Sequence, residues 1–353
     1  MTNFYDDFTI IEVEALAANA RDTVEEILAL LGWRLKELAD FASEASPLGA
    51  VLNLDRCRDG IATITNKASR VDEIIAAIDA AGSTAKVPVD LLPRLRGRLL
   101  FARSLSFGRC GGVALRALGA AIESNKTLKT IVIDGQLARA LFDLRQHLLG
   151  ARPREIRVAH PSPLLFFVDG AFEPNDDGTF SGSIGGLILD PVDRSFEFFR
   201  LRISADHLAL LLGAAKTAIF QLELLPVLVG RRLWSERFRD RAFLCFCDNE
   251  AAKSALVAGY SPDPIAVQIL AMIADLDVVD GALGWFDRVP TASNPADAPS
   301  RLLVPDSLPD WNNPIEKYVD SIADDVLNNV RATALEYNVL SGADGRAFAA
   351  GVQ

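Results

Sequence analysis

The run PLLFFVDGAF (163–172) decides how the second half of this chain folds. Leu164 to Val168 are apolar without interruption, as in a central strand buried on both faces, and the run ends on Asp169. Gly170 follows directly, where a missing side chain lets a backbone or a substrate come close. Working outward, SGSIGGLILD (181–190) and SFEFFRLRIS (195–204) are apolar or alternating runs, set off by the turn signals NDDG (175–178) and DPVD (190–193). A long helix is predicted over about 212–234, then the strand AFLCFCD (242–248). Helices from Asn249 and over 263–279, the strand ALGWFDRV (282–289) and a short helix near 295–302 complete the unit. The order βββαβααβ predicts an α/β fold, a mixed five-stranded sheet with flanking helices.

Upstream the pattern is different. A helix of mixed pattern is predicted over 10–42, and LGAVLNL with DGIATIT reads as a β-hairpin turning near Arg58 to Gly60. Helices follow over 68–82, 90–106, 110–124 and 134–149. GARPREIRVAHPSP (150–163) carries three prolines and reads as a linker. The expected organisation is a hairpin-plus-helices region over 1–150, a linker over 151–162, an α/β domain over 163–302 and a helical tail over 303–353.

Composition sets bounds. Half of the 353 residues are hydrophobic and 24% are charged, which suits folded domains rather than disorder. There is no uninterrupted apolar stretch of membrane-spanning length, and MTNFYDDF lacks the basic and apolar regions of a secretory signal, so an intracellular protein is expected. Cys57, Cys110, Cys245 and Cys247 are too scattered for a disulfide framework or a CxxC zinc site; Cys245 and Cys247 should share one strand face as packed thiols. The net charge of −11 argues against indiscriminate binding of nucleic acid. Arginines nevertheless cluster at 94–116, 152–157 and 231–241, which leaves room for a local basic track.

Four acids stand out. Asp169 and Asp248 end buried strands, Glu223 lies on a helix among apolar Phe220, Leu224 and Val227, and Asp297 starts the short helix in NPADAPSR (294–301). A carboxylate on an inward helical stripe is costly unless something pairs with it. Strand ends are where open α/β sheets hold ligands, and clustered carboxylates repel unless a divalent cation neutralises them. An all-oxygen donor set suits Mg²⁺ or Mn²⁺, and two such ions can drive an in-line phosphoryl displacement. Taken singly, each aspartate could equally cap a helix or begin a turn.

In order and spacing, FFVDGAF, QLELLPVLVGRRLW, CFCDNEAA and RVPTASNPADAPSR resemble the ribonuclease H domain of retroelement reverse transcriptases, most of all DIRS-like and pararetrovirus-like elements. The resemblance implies a D-E-D-D set at Asp169, Glu223, Asp248 and Asp297, separated by 54, 25 and 49 residues. It implies two Mg²⁺ or Mn²⁺ ions, cleavage of the RNA strand of RNA·DNA hybrids, and backbone contacts from Asn249, Arg288, Ser300, Arg301 and the arginines at 94–109. FYDDF (4–8) resembles the reverse transcriptase Y-x-D-D motif, with Phe4 at the tyrosine position and Asp6 and Asp7 as vestigial metal ligands; GRLLFARSLSFGR resembles a thumb helix. Fingers and the third polymerase aspartate are lacking, so the chain is expected to be a truncated palm end and thumb joined to a nuclease, possible partner to the missing polymerase portion, without primer extension. No histidine lies between Asp248 and Asp297, where many members carry one. A non-catalytic nucleic-acid-binding module therefore stays open beside the nuclease.

Overall fold

Alternating and continuous apolar runs build four sheets in a computed structural model, which describes residues 2–4, 7–35, 39–106, 111–159, 162–213 and 216–336. The N-terminal half comprises β1 (Thr2–Phe4), β2 (Asp7–Thr9), α1 (Ala17–Leu30), β3 (Glu44–Ala45), β4 (Ala50–Asn53), β5 (Ile61–Asn66), α2 (Ala68–Gly82), β6 (Lys86–Pro88), α3 (Leu91–Ser104), α4 (Gly112–Ser124), β7 (Thr130–Val132), α5 (Gly135–Leu149) and β8 (Arg154–Arg157). The second half comprises β9 (Leu164–Pro174), β10 (Phe180–Asp190), β11 (Ser195–Ile203), α6 (Ala205–Leu212), α7 (Ile219–Leu233), α8 (Ser235–Phe238), β12 (Ala242–Cys247), α9 (Glu250–Ala258), α10 (Pro264–Asp280), β13 (Leu283–Arg288), α11 (Asp297–Ser300), β14 (Ile315–Glu316) and α12 (Asp320–Glu336).

The main sheet runs β13–β12–β9–β10–β11–β14. β9, β10 and β11 form an antiparallel meander, while β12 lies parallel to both β9 and β13. The chain is thus mixed α/β, but this sheet has six strands where the pattern predicts five. The sixth, β14, joins β11 in parallel, and Arg200 Nε donates to Glu316 Oε1 at 2.7 Å to hold that edge. A two-residue strand carries no periodicity to read.

α7 packs on β9 and β10, with α10 and α12 against α7. Leu222, Val227, Ile269, Val326 and Val330 share one core, so the helix in the segment read as a tail is part of the domain interior. On the opposite face, Leu187, Leu189, Phe196 and Phe198 lie under Leu308 and Trp311. Cys245 and Cys247 face the same side of β12, both buried, as the alternation predicts.

Upstream, α2 to α5 bury Ile74, Leu92, Leu99, Leu118 and Leu141 in a second core. The expected long first helix spans only Ala17–Leu30. Gly32, at φ +80°, follows it in a backbone conformation that favours glycine and helps stop the helix. The hairpin of β4 and β5 belongs to a four-stranded sheet, β3–β4–β5–β8, and β8 comes from inside the proline-rich stretch read as a linker. Asp6 lies outside the described residues, as does the side chain of Asp7, whose backbone pairs with Phe4 in the β1–β2 ladder. No helix among the described residues is long and apolar enough to cross a membrane.

The arginine cluster at 231–241 is largely structural rather than a basic track. Arg231 is fully buried, paired to Asp277 and Asp280, with the Phe238 and Phe243 rings each 4.8 Å from its guanidinium carbon. Arg237 binds Glu197, and Arg241 binds Asp190. Buried guanidinium groups need such partners, and that requirement decides their placement.

Candidate metal centre

Asp169 is not at a strand end. β9 continues to Pro174 because β10 pairs with it that far, setting Gly185 opposite Asp169. The parallel ladder from β12, however, stops at Phe167, so Asp169 lies just past the point where one neighbour leaves the sheet. Asp248 follows the last residue of that neighbour. Glu223 comes from α7, brought close by two sequence features. At Gly170, an added Cβ would stand 2.5 Å from the Leu222 carbonyl carbon, so only glycine admits the helix. Pro226, four residues after Leu222, has no N–H, so the Leu222 carbonyl that meets Gly170 receives no bond from that position.

Carboxylate oxygens of Asp169, Glu223 and Asp248 lie within 4.8 Å of one another. Asp169 is 5% exposed and Glu223 4%. Burial, with Asp169 and Asp248 adding repulsion, pushes the Glu223 carboxyl up to about 9. Burial likewise raises Asp169 to about 7 against the lowering hydrogen bond from Ser300, while the charges of Asp248 and Asp297 push it up and Arg301 draws it down. Cys247 beside them is pushed up to about 12, first by burial and then by Glu223 and Asp248. Glu223 Oε2 is buried with no hydrogen-bond partner among the described residues. Three converging hard oxygen donors, one of them orphaned, fit a divalent cation and are otherwise expensive to hold together.

Asp297 stands apart from the trio. Its Oδ1 accepts from Arg301 Nε at 3.1 Å, and its charge reaches Asp169 without joining the group of three. The remaining residues expected to touch substrate also bond within the protein. Ser300 is fully buried, donates to Asp169 Oδ2, and hands its own carbonyl to Ser183 Oγ at 2.6 Å. Asn249 Oδ1 caps α9 by accepting from Ala251 and Ala252, and Arg288 Nε donates to the Asp248 carbonyl at 2.9 Å. Arg301, exposed like Arg288, bridges Asp297 and Glu173.

Asn294 was missed. It is 5% exposed; its Nδ2 donates to the Val168 carbonyl at 3.0 Å and its Oδ1 accepts from Ala296 N at 3.2 Å, tying the NPAD turn to the residue before Asp169. An Asx-Pro pair signals a local turn, but not which distant strand the free amide reaches. Asn294→Ala leaves a buried carbonyl and a buried N–H without partners, so urea unfolding should register a loss of about 1–3 kcal/mol.

No known protein-family model matches the chain, and no curated protein matches it. Among solved structures, the chain is similar to RNase H1 from the halophilic archaeon Halobacterium salinarum NRC-1, at 15% identity and a TM-score of 0.28, over 39% of this chain and 94% of that one. It is also similar to the foamy viral protease-reverse transcriptase in complex with RNA/DNA hybrid, at 9% identity and a TM-score of 0.30, over 83% of this chain and 57% of that one. The carboxylate geometry, rather than these likenesses, carries the functional reading.

Proposed function

We propose that the domain formed by β9 to α12 is a ribonuclease H-type nuclease that cleaves the RNA strand of RNA·DNA hybrids, derived from a retroelement reverse transcriptase. The observation that carries this is the convergence of carboxylate oxygens of Asp169, Glu223 and Asp248 to within 4.8 Å of one another where β12 leaves the sheet, with Glu223 Oε2 lacking any partner among the described residues. Two Mg²⁺ or Mn²⁺ ions held there would lower the pKa of a water and neutralise the phosphate oxygens of an in-line displacement. The chain's own residues prepare that site. Ser300 and Asn294 fix Asp169 in place, Arg288 fixes the backbone of Asp248, and Gly170 sets the approach of Glu223. Arg301 holds Asp297 at the rim, where its charge bears on Asp169 without ligating the same point. Hybrids would be selected by duplex shape and 2′-hydroxyl contacts rather than by base edges.

The test is cleavage of a labelled RNA·DNA hybrid by the purified chain in Mg²⁺, with duplex DNA as control. Asp248→Asn should reduce the rate by more than the roughly 10- to 100-fold typical of losing an outer-shell partner. A second reading, a binding module without turnover, is favoured by one observation, the engagement of Asp297 with Arg301. Hybrid binding that Asp248→Asn leaves intact, with no cut in Mg²⁺ or Mn²⁺, would select it.

A further inference from the structure

Outside the metal centre, α4 and the segment entering α10 face each other across a groove of about 640 Å³. One wall presents Arg116 from α4 and Arg96 from α3; the other presents Tyr260, Pro262, Pro264 and Val267. The guanidinium carbon of Arg116 lies 3.7 Å from the centre of the Tyr260 ring. Neither Arg96 nor Arg116 has a carboxylate partner among the described residues, on a chain whose net charge is −11. Against these two cations the groove lining holds, among the described residues, a single acid, Glu123, which pairs with Lys126. Unpaired arginines on so acidic a chain mark the groove as a place for a polyanion.

The groove is also tied to the carboxylates. Gln221 Nε2, two residues before Glu223 on α7, donates to Asp263 Oδ2 at 2.9 Å. Asp263 in turn caps α10 through Ala266 N and is itself held by Ser261 Oγ. α9, about 14 Å long, starts beside Asp248 and ends just before Gly259 and Tyr260, so it links the metal centre to the stacked pair.

We propose that this groove binds a single-stranded nucleic-acid segment running out of the duplex at the metal centre. A guanidinium laid on an aromatic ring is already ordered, with its N–H edge free for a phosphate. The tyrosine, prolines and valine give bases an apolar, sequence-tolerant platform. The location of the duplex rests on the nuclease reading; binding of the strand in the groove does not.

Fluorescence anisotropy with a chelator present, so that nothing is cut, compares a blunt labelled hybrid with one carrying a short unpaired extension. The extension should strengthen binding at least about fivefold, the low end of what one stacked base contributes. Tyr260→Ala and Arg116→Ala should each remove that gain while blunt-hybrid affinity and thermal midpoint stay put, and Tyr260→Phe should keep it. Equal affinity for both probes in the parent protein overturns the proposal, as does a gain that survives both alanine variants. Displacement of the extended probe by an acidic peptide as readily as by single-stranded DNA would mark a generic anion groove and overturn it too. Cleavage of the blunt hybrid in Mg²⁺ is scored separately, so failure of the nuclease reading and failure of the groove assignment give different results.

Discussion

Gly170→Ala should unfold the protein at a markedly lower urea concentration and weaken metal binding, although the change adds one methyl group. The new Cβ would meet the Leu222 carbonyl carbon at 2.5 Å, its oxygen at 2.6 Å and the Glu223 nitrogen at 2.9 Å, all backbone atoms with no rotamer to swing aside. α7 must therefore retreat as a body. Leu222, Leu224, Leu225, Val227, Leu228 and Val229 on that helix are all fully buried, so retreat opens the core along its length. Overpacking of this kind costs about 1–3 kcal/mol, and a contact made wholly of backbone belongs at the top of that range or above it. Because Glu223 moves with the helix, hybrid cleavage should fall about 100-fold even in the fraction that stays folded, as for a misplacement of about 1 Å. Gly97→Ala is the matched control. It sits within α3 with nothing within 4 Å of the added carbon, so the same substitution should stabilise by up to about 1 kcal/mol. If both variants unfold alike, the close approach at Gly170 is not what positions α7.

Much of the α/β half could be read from local pattern because its strands are long and its turns are chemically explicit. Leu164 to Val168 announce a buried strand, and the alternation through AFLCFC sets both cysteines on one face. Glu223 was legible as an inward acid because its helical neighbours are apolar. What stayed hidden depends on contacts between residues far apart in the chain. The Ser300 hydroxyl reaches Asp169 across 131 positions, and the Asn294 amide reaches Val168 across 126. Asp297 enters the set through the resemblance, and the sequence does not show that Arg301, four residues on, donates to its Oδ1. Arg231 looked like part of a solvated basic run, but Asp277 and Asp280, 46 and 49 residues away, draw it into the core. The N-terminal half was harder still, since β8 joins β5 from 88 or more residues downstream and its four residues alternate only weakly in burial.

In the metal-free protein, stability should fall as pH rises from about 4.5 towards about 9, and Glu223→Gln should remove much of that fall. The sign follows from the proton. Folded Glu223 keeps it up to about 9, whereas the glutamate of the unfolded chain releases it near 4.5. Between those values the unfolded state binds fewer protons, so each pH unit costs the folded state about 1.4 kcal/mol from this one group. Asp169 adds a shorter decline, from its ordinary 3.8 to about 7. The stabilising effect of the bound protons is complete below the unfolded values and gone above the folded ones. Glutamine keeps the shape of Glu223 without the ionisation, so at pH 8 in EDTA the variant should melt above the parent. Mg²⁺ should invert that order. A cation held only by the folded state stabilises by about 2.7 kcal/mol at 100 times its dissociation constant, and its affinity should climb with pH because the proton must leave first. The parent should gain this increment and the variant little of it. Thermal melts of both proteins from pH 5 to pH 9, with EDTA and then Mg²⁺, separate the cases. A variant less stable than the parent in EDTA at pH 8, or equally stabilised by Mg²⁺, would remove the orphaned carboxylate as the reason these acids meet.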